Sequence, residues 1–197
     1  LAKRFPETLS LIEGDAMEYP LAGFSPKEGK DFKIVANLPY NVATEIFFRL
    51  AEVGERWSVM VLMFQKEVAR RMTARVGDSD YGVLSLMCQL HVDAEIVMNL
   101  PPGAFVPPPR VHSAVVRFRP LPGTRIENEE VRERFKRIVK GAFQARRKTF
   151  PNAVKGLGLD RERVREALEE LGLDIKVRPE GVSFEQYVAL AERFDEL

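Results

Sequence analysis

The stretch that decides the fold is Phe32-Lys33-Ile34-Val35-Ala36-Asn37-Leu38-Pro39-Tyr40. Its first five residues predict a short, largely apolar buried strand that ends on the polar Asn37, and Pro39 stiffens the loop beyond it. Next along the chain, Val42, Ile46, Phe47 and Leu50 recur at helical spacing within residues 42–52. Residues 59–64 then form a continuous apolar strand and residues 66–75 a further helix. Strands that are apolar on both faces and alternate with helices predict an α/β fold built on a mostly parallel sheet covered on both sides.

Working outward, residues 8–13 predict a strand that ends in Gly14-Asp15. On the other side, a Gly77-Asp78-Ser79-Asp80 turn leads into a helix over 81–91, a strand over 94–100 and an alternating strand over 112–119. Between these last two strands lies the proline-rich run Pro101-Pro102-Gly103-Ala104-Phe105-Val106-Pro107-Pro108-Pro109. It is too rigid and donor-poor for helix or sheet and too short for a helical crossover, so the two strands should pair antiparallel. Leu121-Pro122-Gly123 reads as a linker. Helices are expected over 129–145, 161–171 and 183–196, the last with a capping box of Ser183 and Gln186. The division is therefore an α/β domain over residues 1–120 and a small all-helical domain over 124–197.

With 45% hydrophobic residues the chain can bury a substantial core. No apolar run approaches the ~20 residues of a transmembrane helix, and a cytoplasmic monomer is expected. Cys88 is the one cysteine, so neither a disulfide nor a multi-cysteine metal site is available. The net charge of +1 conceals an asymmetry: residues 1–155 carry +6 and residues 156–197 carry −5. Residues 134–155 hold eight cations (Arg134, Lys136, Arg137, Lys140, Arg146, Arg147, Lys148 and Lys155) and no acid. That density suits a polyanion, or else a solvated helix face.

Ligands of open α/β sheets bind outside the carboxyl ends of the strands, so the residues just past each strand are where chemistry is expected. The Asn37-Leu38-Pro39-Tyr40 loop suits one problem in particular. An adenine N6 amine is a poor nucleophile because its lone pair is delocalised into the ring. The Asn37 side-chain oxygen and a backbone carbonyl at Leu38 or Pro39 can each accept one N6 hydrogen, aiming the lone pair at a methyl donor. Tyr40 offers a face on which an extruded base can stack, and Phe105, held among prolines, offers an opposite wall. Asp15 is a candidate acceptor for a polar group of a nucleoside cofactor. Each has a plain alternative: a strand-to-helix turn, a core phenylalanine closing the sheet edge, a turn-stabilising aspartate. His91 and His112 stand alone, so no metal is expected.

The glycine-rich turn that opens a nucleoside-binding sheet is missing from the sequence. Leu1-Ala2-Lys3-Arg4-Phe5 reads as the end of a helix leading into the first strand. The expectation is a sheet truncated at its N-terminus.

In combination these blocks resemble the small-subunit ribosomal RNA adenine N6,N6-dimethyltransferases, relatives of the erythromycin-resistance ribosomal methylases and of mitochondrial transcription factor B. The resemblance rests on Gly14-Asp15-Ala16, Asn37 to Asn41, Gln65-Lys66-Glu67-Val68, Tyr81-Gly82 and the run from Pro101 through Phe105 to Arg110-Val111. It continues in Ser113-Ala114-Val115-Val116-Arg117, Phe143 to Thr149 and Arg178-Pro179-Glu180. It implies a Rossmann-like, S-adenosylmethionine-dependent methyltransferase domain followed by a small helical domain, dimethylating two adjacent adenosines near the 3′ end of small-subunit RNA in the immature subunit. By matching positions, Asp15 and Ala16 would contact the cofactor adenine and Asn37 both cofactor and target amine. Tyr40 and Phe105 would sandwich the base, and Arg146-Arg147-Lys148 would meet RNA backbone. Arg110 stands where many relatives carry lysine, and either supplies a cation near phosphate. Two alternatives remain from the residues: a non-catalytic RNA-binding assembly factor using the basic segment, and a DNA adenine or glutamine amide methyltransferase. Leu38 argues against the latter, since those families more often have a second proline there.

Overall fold

A computed structural model describes residues 11–20, 32–53, 56–121, 123 and 125–195. The Leu1 to Phe5 segment, residues 8–10 of the expected first strand, Gly23, Pro122 of the linker and Glu196 lie outside the described residues. Residues 11–13 carry no regular structure, so that strand is not seen in the part described.

The elements follow in the order β1 (Phe32–Asn37), α1 (Ala43–Ala51), β2 (Trp57–Gln65), α2 (Lys66–Thr73), α3 (Val83–His91), β3 (Val92–Leu100), β4 (Ser113–Pro120), α4 (Glu129–Gln144), α5 (Phe150–Ala153), α6 (Arg161–Glu170) and α7 (Phe184–Arg193). The four strands lie in the order β1-β2-β4-β3. Among the described residues only β1 and β2 pair parallel; β4 pairs antiparallel with both β2 and β3. β1, β2 and β3 thus run in one direction, as a mostly parallel sheet requires, and the one reversal among the four is β4. Its cause is the proline-rich segment after β3, which holds no more than one 3₁₀ turn, Pro102–Ala104, and so returns the chain as a hairpin.

Among the described residues the sheet is covered on one face and not on the expected two. Phe32, Ile34 and Ala36 of β1 pack on a core with Phe47 of α1, Met60, Leu62 and Phe64 of β2, and Val116 and Phe118 of β4. On the opposite face Val35 is 80% exposed and Met98 54%. β1 is therefore a half-buried strand at the edge of the described sheet, and its alternation places Asn37 on the open face with Lys33 and Val35.

A second cluster joins the helices to the sheet. Phe135, Ile138, Val139 and Ala142 of α4 pack with Val164 and Leu168 of α6 and Tyr187 and Leu190 of α7, and Tyr81, Leu86 and Leu90 belong to the same cluster. Two buried phenols clamp the turn at Pro179–Gly181: Tyr187 donates to the Pro179 carbonyl at 3.0 Å and Tyr81 to the Val182 carbonyl at 3.1 Å. Burial raises both phenols above the usual tyrosine range, so each stays a donor. Gly77, at φ 91 in a region that disfavours a side chain, donates its N–H to the Glu180 carbonyl at 3.4 Å. Asn128 caps α4 through the Glu130 and Val131 amides, and Ser183 and Gln186 form the expected capping box. Between α4 and α6, Pro151 lies in the first turn of α5, where its missing N–H leaves no bond unmade.

His91, at the end of α3, meets Phe48 edge-on at 6.4 Å. Burial, aided by Lys136 and Arg132, pulls its imidazole from 6.5 down to about 4. Between those values the unfolded chain binds a proton that the folded chain refuses. This contribution is complete above about pH 6.5 and is lost as pH falls toward about 4. Urea midpoints measured across that window should fall less steeply for His91→Gln than for wild type; equal slopes would contradict the assignment.

Candidate active site

Asn37 closes β1, paired in register with Met63 of β2, and its exposed amide makes no hydrogen bond among the described residues. Leu38 tucks its side chain against the sheet core, which turns the backbone over. The Pro39 carbonyl accepts from the Val42 N–H at 3.2 Å and so closes the turn into α1. Among the described residues the Leu38 carbonyl carries no such bond and is the acceptor left beside Asn37. Tyr40 is half-buried, and its phenol shares a hydrogen bond of 2.6 Å with the hydroxyl of Ser113, the first residue of β4.

Phe105 ends the 3₁₀ turn, its N–H bonded to the Pro102 carbonyl at 3.2 Å. It rides on a loop whose two feet, Leu100 and Ser113, are paired partners. Tyr40 and Phe105 make no ring contact with each other. The structure therefore brings the Tyr40 hydroxyl to the root of the Phe105 loop and leaves the two rings apart. Val106 and Arg110, further along that loop, are exposed.

Asp15 and Ala16 lie on an exposed turn. The Asp15 carboxylate accepts from the Met17 N–H at 2.8 Å, and its carbonyl accepts from Glu18 and Tyr19. One carboxylate oxygen thus stabilises the turn, and the other faces outward. Arg49, in the last turn of α1, ties this turn to that helix by donating to the carbonyls of Ala16 at 2.7 Å, Met17, and Tyr19 at 2.9 Å. Neither Arg49 nor Ser113 was singled out from the sequence. Arg49 has no local signal, since its partners lie some thirty residues upstream; Ser113 lies in the segment from Ser113 to Arg117, but a serine among valines does not announce a distant tyrosine.

The basic segment divides. Arg134 donates to the Ala191 carbonyl at 3.0 Å, Lys136 pairs with Glu133, and Arg146 donates to the Ser79 carbonyl at 2.8 Å with its Nε 3.7 Å from Glu180. Arg137, Lys140, Arg147, Lys148 and Lys155 are exposed, and no ion pair engages them among the described residues. No cluster of metal-ligating side chains occurs among the described residues, and none of their helices is long and apolar enough to cross a membrane.

A mixed α/β sheet whose strand ends carry this corner defines the Rossmann-like methyltransferase class, and solved structures agree. A dimethyladenosine transferase from Plasmodium falciparum superposes with TM-score 0.79 at 25% identity, covering 98% of this chain and 76% of that one. The 23S rRNA methyltransferase ErmE, at TM-score 0.70 and 23% identity, shares the fold over 98% of this chain and 76% of its own. The chain belongs to the ribosomal RNA adenine dimethylase family, whose model matches residues 2–196. Similar proteins include the ribosomal RNA small subunit methyltransferase A of Syntrophotalea carbinolica, 43% identical over 82% of this chain, and that of Geobacter metallireducens, 41% identical over 93%. The chain spans 61% of the first relative's length and 67% of the second's.

Three bonds from one guanidinium make Arg49 the fastening of the Asp15 turn. In Arg49→Met, the amides of Glu18 and Tyr19 should exchange with deuterium about tenfold faster, on the scale of lost charged hydrogen bonds; unchanged exchange would contradict that role.

Proposed function

We propose that the protein uses S-adenosylmethionine to dimethylate the N6 amines of two adjacent adenosines in small-subunit ribosomal RNA, acting as a monomer in the cytoplasm on the immature subunit. The observation that carries this is the exposed, unpaired Asn37 amide beside the free Leu38 carbonyl, on a loop whose Tyr40 is anchored at the root of the Phe105 loop. Family membership and the named relatives support the substrate class.

The residues present suit an adenosine-bearing cofactor. Asp15 offers an outward carboxylate oxygen to a ring amine, Ala16 lies beside it in the turn, and Asn37 can both donate and accept. The bound cofactor would supply an electrophilic methyl group. The chain's own contribution is to hold the nucleophile. Tyr40 and Phe105 stack on the two faces of an extruded adenine, each such contact worth ~1–3 kcal/mol. The Asn37 oxygen and the Leu38 carbonyl take the two N6 hydrogens, which localises the lone pair and stabilises the positive charge that grows on nitrogen as it attacks. Pro39 donates no hydrogen bond and commits its own carbonyl to the turn, so its part is stiffness. After a first transfer one N6 hydrogen remains, and one acceptor still suffices to orient the amine.

RNA backbone would meet Arg147, Lys148 and Arg110. Arg146, although in the same run, serves mainly as the strap between the Gly77 to Asp80 turn and Glu180, and reaches phosphate only by leaving these partners.

With the cofactor and immature small subunits the protein should produce N6,N6-dimethyladenosine, and Asn37→Ala should slow transfer by about a hundredfold; transfer at the wild-type rate would refute the mechanism. Replacing Arg147 and Lys148 together with alanine should lower the slope of log affinity against log salt by about 1.4–1.8, whereas Arg146→Ala should chiefly lower the melting temperature. An unaltered slope in the double variant would remove these two cations from the interface.

A further inference from the structure

Ser113 is fully buried, although it lies on the sheet face that is otherwise open. Ala114, Val116 and Phe118 of β4 point into the core, so alternation sends Ser113 to the side of Val115 and Arg117. Val115 stands opposite Met63, which stands opposite Asn37; Ser113 stands opposite Gln65, in the next row of the same face. Tyr40, three residues after Asn37, therefore crosses the end of β2 to reach β4. There its phenol meets the Ser113 hydroxyl at 2.6 Å. On its other side Ser113 pairs with Leu100, the residue from which the Phe105 loop departs, and His112 beside it accepts from the Lys66 N–H at 2.9 Å.

We infer that Ser113 is a positioning residue for the target base: its hydroxyl fixes the Tyr40 ring relative to both feet of the loop that carries Phe105, and so sets the spacing and tilt of the slot. The inference rests on the base-slot reading proposed above. The bond is self-enforcing. If the Tyr40 ring swings out, a buried serine hydroxyl loses the one partner it has among the described residues, and burial without a partner is unfavourable. A ring already held in place loses little freedom when a base stacks on it, which is how such preorganisation strengthens binding. Ser113 itself, being buried behind the phenol, touches neither base nor cofactor.

The test uses a short single-stranded RNA with 2-aminopurine at the target adenosine. This base has no N6 amine, so its fluorescence quenching reads stacking and bypasses Asn37. Ser113→Ala and Tyr40→Phe should each weaken binding about fivefold, the scale of one lost hydrogen bond, and reduce quenching at saturation. The double variant should be no worse than either single one, because all three remove the same bond. Effects that multiply in the double variant would overturn the inference. So would wild-type quenching in Ser113→Ala while Tyr40→Ala abolishes it, and in that case the slot itself stands. If Tyr40→Ala also quenches like wild type, the slot reading falls and the inference with it. Should Ser113→Ala fail to fold, Tyr40→Phe decides alone, since it removes the bond without touching the strand: full quenching there would refute the proposal.

Discussion

The register at the end of the sheet, with Gln65 opposite Ser113 and Ser113 opposite Leu100, is the constraint on which the site depends. Backbone pairing across these strands sets where α2 begins, where β4 begins and where the Phe105 loop departs. β1 adds its parallel pairing to β2, which puts Asn37 beside Met63 and one row back from Ser113. A one-residue slip of β4 would carry Ser113 to the core face and strand the Tyr40 phenol. The apolar side chains of Ala114, Val116 and Phe118 prevent that slip, because it would place them on the open face. Core packing thus determines the geometry of this polar corner.

A similar economy joins the helices to the sheet. Tyr81, 101 residues before its partner, and Tyr187, 8 residues after its own, are both buried and each donates to a carbonyl on one side of the Pro179–Gly181 turn. Arg146 reinforces this junction through Ser79 and Glu180. The basic segment therefore divides in a way that its composition does not show. Cations whose guanidinium or ammonium finds a carbonyl or carboxylate are structural. Arg147 and Lys148, just past the end of α4, remain available to a polyanion.

Much of this was legible in the sequence because local signals and tertiary demand agreed. The helical spacing of Val42, Ile46, Phe47 and Leu50 reflects the face that α1 buries, the proline run did force an antiparallel hairpin, and Ser183 with Gln186 capped α7 as expected. The errors came from non-local facts. Apolar strands suggested cover on both faces, but whether Val35 is covered depends on what packs above it, and nothing within β1 encodes that. In the proposed site, Asn37, Tyr40 and Phe105 are candidates by residue type and strand-end position. Ser113 and Arg49 were missed because their partners lie 73 residues away and about 30 residues away.

The central claim is geometric: a target adenine lies between Tyr40 and Phe105 with its amine turned to Asn37 and Leu38. Determining the structure of the protein bound to a short RNA that carries the target adenosine tests it most directly. The account predicts the base extruded between the two rings, with N6 about 3 Å from both the Asn37 side-chain oxygen and the Leu38 carbonyl. A base seated elsewhere, or one stacked in the slot with N6 facing away from Asn37, would contradict it.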